Sequence, residues 1–142
     1  MNYNDVLNCG VLTGKILSGI IAKACSNCMK TIESISLPQK ERSAILQAAE
    51  SIKIGLPVSR VILFGSMARE TADPYSDIDL LVLTSCSVSS KLRASVSEKL
   101  AEINLQHDVA LSSITVSEND WSEGLIHHML IHNEIERDGC EV

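Results

Sequence analysis

The chain has 142 residues, 45% of them hydrophobic, and a formal charge of −6 at pH 7. This length predicts a single domain with one hydrophobic core and no room for a second domain that would hold a template. With one Trp, two Tyr and one Phe, the acidic chain offers neither the basic surface nor the stacking platforms that a long nucleic acid requires, so we expect none as a substrate.

The N-terminal third has the pattern of two helices. Over residues 5–34, apolar side chains such as Leu12 and Ile16 recur at spacings of three or four. A second helix is predicted to begin at Pro38, a residue favoured in a first helical turn, and to stop near Gly55. We expect these helices to cover a sheet; the alternative is an interface for a partner or for a second copy of the chain.

The same region gives no convincing signal for export or membrane insertion. Residues 6–25 lack the basic start of a signal peptide, because Asp5 comes first and Lys15 and Asn8 interrupt the apolar run. The run is also too short for a membrane span. Five cysteines, an odd number, in a chain that does not need disulfides to fold predict free thiols, so we expect a cytoplasmic protein.

The central segment combines a glycine turn with two carboxylates. Apolar runs at residues 61–64 and 80–83 predict two buried strands, and Asp77 and Asp79 stand at the start of the second. Residues two apart in a strand face the same side, so both carboxylates are predicted to share one site. Like charges this close require a cation between them, and Mg²⁺ is the natural choice because hard cations prefer carboxylate and phosphate oxygens.

Gly65 and Ser66 follow the first of these strands. Glycine adopts backbone conformations that other residues avoid and allows a ligand to approach closely. Ser66 adds a hydroxyl at the start of a short helix predicted over residues 67–70. The pair is therefore a candidate phosphate-binding turn that faces the metal-binding carboxylates.

These residues resemble the minimal nucleotidyltransferases (MNT) of the DNA polymerase β superfamily, whose pattern is Gly-Ser, ten residues, then Asp-x-Asp. Here Gly65-Ser66 is followed after ten residues by Asp77-Ile78-Asp79, and Ala68-Arg69 is also similar to the family pattern. Glu70 departs from it, since the family usually has Gly there. A weaker likeness to the closing segment of these enzymes lies in residues 131–140.

The resemblance implies a third carboxylate on a later strand, for which Asp108 is the candidate. It lies in the run 107–111, which we predict to be a strand, after a segment at 89–104 with helical spacing. The order strand, helix, strand would bring Asp108 beside the other two carboxylates. The alternative is that Asp108 caps a strand or pairs with a lysine.

The fold expected from this resemblance is α/β: a small mixed β-sheet with packed helices, the polymerase β-like nucleotidyltransferase fold, with an N-terminal helical extension. Within one domain over 1–142, we expect a helical segment at 1–57, a catalytic kernel at 58–115 and a C-terminal helix and closing segment at 116–142. Trp121 is expected to anchor a core or an interface.

The resemblance also implies the reaction: transfer of AMP from ATP to a hydroxyl group with two Mg²⁺ ions. In it, Asp77 and Asp79 would hold the ions, Gly65 and Ser66 would seat the outer phosphates, and Asp108 would bind the metal that activates the acceptor. The implied acceptor is a helical HEPN-type toxin, with this chain as the antitoxin. The alternatives are a small-molecule acceptor such as an aminoglycoside, or a non-catalytic module that masks its partner.

Two histidines could belong to a zinc site, but the sequence spacing of the possible ligands does not favour one. His128 and His132 stand four residues apart and would need Cys25 and Cys28 to complete a zinc site. Structural zinc sites usually draw on ligand pairs closer in sequence. We therefore expect His127 and His132 on a solvated or partner-facing side of a helix.

Overall fold

A computed structural model of the protein describes residues 29–142. The predicted helix at 5–34 and the cysteines at 25 and 28 therefore lie wholly or largely outside the described residues. The part of that helix prediction within them is wrong, because Lys30–Thr31 forms a short strand and Ile32–Ser34 a 3₁₀ turn. The strand forms because its two residues pair with the end of the chain, a long-range contact that the local pattern does not reveal.

The described residues form five strands, five α-helices and two 3₁₀ turns. In chain order they are β1 (Lys30–Thr31), the turn Ile32–Ser34, α1 (Gln39–Lys53), β2 (Val58–Phe64), α2 (Gly65–Ala68), β3 (Ile78–Thr84), α3 (Ser90–His107), β4 (Leu111–Ser117), α4 (Glu118–Ser122), the turn Leu125–His128, α5 (Leu130–Asp138) and β5 (Cys140–Glu141). The alternation of strands and helices confirms the predicted α/β class.

The five strands form one mixed sheet in the order β1-β5-β2-β3-β4. Strands β2 and β3 are antiparallel, and Phe64 at the end of β2 pairs with Asp79 near the start of β3. Strands β3 and β4 are parallel and are joined through α3, so the predicted crossover is present. This topology brings the end of β2 and the starts of β3 and β4 to one edge of the sheet.

The two faces of the sheet bury separate cores, as the period of two in a strand requires. On one face Leu63 and Leu80 pack against α1 and α3. On the other, Ile62 and Leu81 form a cluster with buried residues of α4 and α5. Asp79 alternates with Leu80 and therefore lies on the second face, with Leu81.

The helices predicted at 38–55 and 89–104 are confirmed with small changes in their ends, and the short helix predicted at 67–70 begins earlier, at Gly65. Pro38 is the N-cap of α1, and the Ser89 hydroxyl accepts a hydrogen bond from the Leu92 N–H at the start of α3. The strand predicted at 107–111 is wrong: α3 continues to His107, and β4 begins only at Leu111. Asp108 ends the helix in the left-handed conformation, with φ of 51°, which Asp tolerates better than most residues. No helix among residues 29–142 is long and apolar enough to cross a membrane.

Candidate active site

The two predicted carboxylates lie at the edge of the sheet where β2 ends and β3 and β4 begin. Asp79 is the second residue of β3 and is half-buried, whereas Asp77 immediately precedes the strand and is exposed. Strand alternation puts Asp79 on the face opposite Ile78. Gly65 and Ser66 come directly after β2, so the turn and Asp79 are neighbours across the β2–β3 pair.

The Asp79 carboxylate is held between the turn and β4. Its Oδ1 accepts a hydrogen bond of 2.7 Å from the Ser112 hydroxyl. Its Oδ2 lies 2.8 Å from the position that a Cβ on Gly65 would occupy. Gly65 also has a φ of +75°, which side-chain-bearing residues rarely adopt. Glycine is therefore required here both by the backbone conformation and by the closeness of the carboxylate.

The turn that carries Ser66 is hydrogen-bonded to the segment that follows it. The Thr71 N–H donates a 3.0 Å hydrogen bond to the Ser66 carbonyl. Glu70 has φ of 57°, a conformation natural for the glycine that the family pattern has at this position. Its carboxylate accepts a 2.7 Å hydrogen bond from the Ser36 N–H. Glu70 thus ties the turn to the linker before α1, a contact that a glycine could not make.

The structure does not bring Asp108 to the other two carboxylates. Its side chain is fully exposed and forms a 3.5 Å ion pair with Lys40 of α1. Within the described part of the chain, no three His, Cys, Asp or Glu side chains are grouped closely enough to hold a metal ion. The β4 residue that pairs with Asp79 is Ser112. Sequence reasoning missed Ser112 because it started the strand at residue 107. If the strand is started at Leu111, the strand alternation places Ser112 on the face of Asp79.

Asp77 and Asp79 fit a divalent cation on their own chemistry. Neither forms an ion pair with any residue from 29 to 142. Carboxylate oxygens are the ligands that Mg²⁺ prefers. The absence of a Gly65 side chain leaves the space in front of Asp79 Oδ2 clear. The Asp79 carboxylate therefore lies beside a turn that permits close approach, without an ion-pair partner among residues 29–142.

Comparison with known proteins identifies the domain. The nucleotidyltransferase domain family matches residues 43–132. The chain belongs to this family. It is also 33% identical over 86 residues to a Methanocaldococcus jannaschii protein that carries the name "Putative protein adenylyltransferase MJ0141", a match that covers 61% of this chain and 79% of the relative. The protein is thus a nucleotidyltransferase.

Solved structures with a similar fold come from toxin–antitoxin complexes. One, a toxin–antitoxin complex with AMP-PNP, matches with a TM-score of 0.48 and 17% identity over 73% of this chain and 72% of that one. Another, a tri-AMPylated Shewanella oneidensis HEPN toxin with its MNT antitoxin, matches with a TM-score of 0.43 and 17% identity over 72% of this chain and 71% of that one.

The charge of Arg69 acts on the C-terminal end of α5. The pKa of the Asp138 carboxyl is lowered mainly by its hydrogen bond from Arg137, and the charges of Arg69 and Lys30 lower it further. Arg69 thus interacts electrostatically with the C-terminal end of α5.

The aromatic residues of α4 and α5 form a buried contact on the face of the sheet that also carries Asp79. Trp121 is buried, as predicted for a core anchor, and its Nε1 donates a 3.1 Å hydrogen bond to Glu136. His132 stacks on it with ring centroids 4.4 Å apart. The predicted solvated position is wrong for His132, which is only 8% exposed. The helix turns it inward because Trp121 offers a flat apolar surface.

Proposed function

We propose that this nucleotidyltransferase transfers AMP from ATP to a hydroxyl group of a partner protein, with Asp77 and Asp79 as the ligands of two Mg²⁺ ions. The observation that carries the proposal is the fixed carboxylate of Asp79 beside a glycine turn with no side chain in the way. The name of the M. jannaschii relative supports both an adenylyl donor and a protein acceptor.

Each residue of the site has a distinct task in this proposal. Gly65 and Ser66 seat the outer phosphates, because the bare glycine backbone lets them come close to Asp79. Asp77 and Asp79 bind the cations, and bound Mg²⁺ would neutralise the triphosphate and the charge that develops as pyrophosphate leaves. Positioning and charge neutralisation together supply most of the catalysis in phosphoryl and nucleotidyl transfer.

We also propose that Asp108 binds the metal ion that activates the acceptor hydroxyl, as the family resemblance implies. In the conformation described, its carboxylate pairs with Lys40. An exposed ion pair of this kind contributes little to stability, about 0–1 kcal/mol, so Asp108 can leave Lys40 at small cost. Because the ion pair contributes so little to stability, it can be removed by substitution without unfolding the protein, and a catalytic role of Asp108 can then be tested by itself.

A pair of substitutions tests Asp108. Asp108→Asn removes the carboxylate, whereas Lys40→Met breaks the ion pair and leaves the carboxylate in place. A metal-activating role predicts that Asp108→Asn loses transfer by about a thousandfold while retaining magnesium-dependent ATP binding, and that Lys40→Met transfers at the parent rate. Equal, small effects of the two variants would show that Asp108 serves only the ion pair.

For the acceptor we propose a helical HEPN-type toxin encoded beside this chain and modified in the cytoplasm. The acidic charge and scarcity of aromatic residues disfavour a long nucleic acid. A protein can present a hydroxyl group to the exposed edge that carries Asp77 without a separate acceptor-binding domain.

The test is intact mass spectrometry of the partner after incubation with this chain, ATP and Mg²⁺. We expect the partner to gain one or more AMP masses, and a chelator or Asp79→Asn to abolish the gain. Glu98→Gln, which removes an exposed carboxylate on α3, is the matched control and should act like the parent. Adenylylation of an aminoglycoside with an unmodified partner would establish the small-molecule function. A bound partner with no modification of either would establish a masking module.

A further inference from the structure

The Ser112 side chain on β4 makes a hydrogen bond to a predicted metal ligand. It pairs with Asp79 in the parallel register of β3 and β4, and paired residues of neighbouring strands project from the same face. Its hydroxyl donates a 2.7 Å hydrogen bond to Asp79 Oδ1. Ser113, the next residue, pairs with Leu80 and therefore faces the opposite side of the sheet.

The two oxygens of Asp79 have different surroundings. Oδ1 accepts the hydrogen bond from Ser112, whereas Oδ2 faces Gly65 and accepts none from the residues described, 29 to 142. A carboxylate can rotate about its last single bond over a broad range unless a partner restrains it. The Ser112 hydroxyl restrains that rotation and keeps Oδ2 directed toward the turn.

We propose that Ser112 is a positioning residue, which anchors Asp79 Oδ1 on β4 so that Oδ2 remains available to a divalent cation beside Gly65. The inference depends on the proposed function, because it assigns a task toward the metal that Asp77 and Asp79 would bind. Serine suits the task because its hydroxyl donates to a carboxylate, whereas a carboxylate at this position would repel Asp79 in the absence of metal.

The expected consequence is a loss of metal affinity that depends on the hydroxyl. Removal of the hydrogen-bond partner of a metal ligand typically weakens metal binding or activity about 10- to 100-fold. Ser112→Ala should therefore weaken Mn²⁺ binding at least about tenfold. Ser112→Thr keeps the hydroxyl and suits a strand, so it should remain within about threefold of the parent. Ser113→Ala is the control on the opposite face and should bind like the parent.

The experiment is titration of each variant with Mn²⁺ in the absence of nucleotide, with free Mn²⁺ measured by electron paramagnetic resonance, together with AMP-transfer rates measured separately with ATP. Circular dichroism checks that each variant is folded. We expect weaker binding and slower transfer for Ser112→Ala and recovery of both for Ser112→Thr. The proposal is overturned if Ser112→Ala binds Mn²⁺ like the parent, or if Ser112→Thr is as weak as Ser112→Ala.

A separate variant distinguishes failure of this inference from failure of the proposed function. Asp79→Asn should abolish the Mn²⁺ binding of the parent. If Asp79→Asn binds Mn²⁺ like the parent, Asp79 is not a metal ligand, and both the proposed metal site and the role of Ser112 are wrong. If Asp79→Asn loses binding while Ser112→Ala does not, the metal site stands and only the positioning role is refuted.

Discussion

Replacement of Gly65 by alanine would place a methyl group against the Asp79 carboxylate. The new Cβ would stand 2.8 Å from Asp79 Oδ2, whereas ordinary van der Waals contacts begin at 3.4 Å. Oδ2 is the end of a side chain that can rotate, so Asp79 would turn away and strain or break its hydrogen bond with Ser112. The clash is therefore relieved at small cost in stability, but it displaces the carboxylate.

The backbone cost of the same substitution can be measured separately at Gly55. Gly65 has φ of +75° and Gly55 has φ of +85°, but a Cβ on Gly55 would meet nothing within 4 Å. Left-handed backbone costs a residue other than glycine about 1–2 kcal/mol. We expect both alanine variants to lose about that much free energy of unfolding. Only Gly65→Ala should lose function: about 10- to 100-fold in Mn²⁺ affinity and about 100-fold in transfer rate.

Urea unfolding of the two variants gives the loss of stability, from the shift of the urea midpoint when the dependence of the unfolding free energy on urea concentration is unchanged. Mn²⁺ titration and AMP transfer give the loss of function. If Gly65→Ala retains the Mn²⁺ affinity and transfer rate of the parent while it loses as much stability as Gly55→Ala, the position of the Asp79 carboxylate does not control the reaction, and the reasoning fails.

Three further predictions concern groups away from the carboxylates. Burial raises the pKa of the Cys140 thiol, so it carries less thiolate at any given pH than an unshifted thiol. Peptide mass mapping after iodoacetamide treatment at pH 8 should show exposed Cys86 modified before Cys140; equal rates would contradict the burial. Trp121→Ala should lower the free energy of unfolding by about 3–5 kcal/mol, measured by circular dichroism in urea, because a fully packed indole is lost; a loss below 1 kcal/mol would contradict its role as a core anchor. Glu70→Gly should be more stable than Glu70→Ala by about 1 kcal/mol in the same assay, since both lose the hydrogen bond from Ser36 but only alanine retains the left-handed strain; the reverse order would contradict the strain.

The sequence by itself determined the elements whose signals are local. Apolar runs on both sides of a turn predicted β2 and β3, and the alternation within a strand predicted that Asp79 faces away from Ile78 and Leu80. Helical spacing predicted α1 and α3, and Pro38 and Gly55 marked the ends of α1. The Gly-Ser turn and its distance from the Asp-x-Asp motif sufficed for the nucleotidyltransferase family. Each of these depends on residues close together in sequence, so the chain encodes them without reference to distant contacts.

The tertiary structure decided what depends on where elements end and what they pack against. Propensity does not reveal that α3 continues to His107, and those few residues move Asp108 from a strand to a helix cap beside Lys40. The same boundary sets the register that brings Ser112 to Asp79. His132 is buried because Trp121 lies next to it in space, eleven residues away in sequence. These outcomes follow from strand pairing and side-chain packing between distant segments, which override local preference.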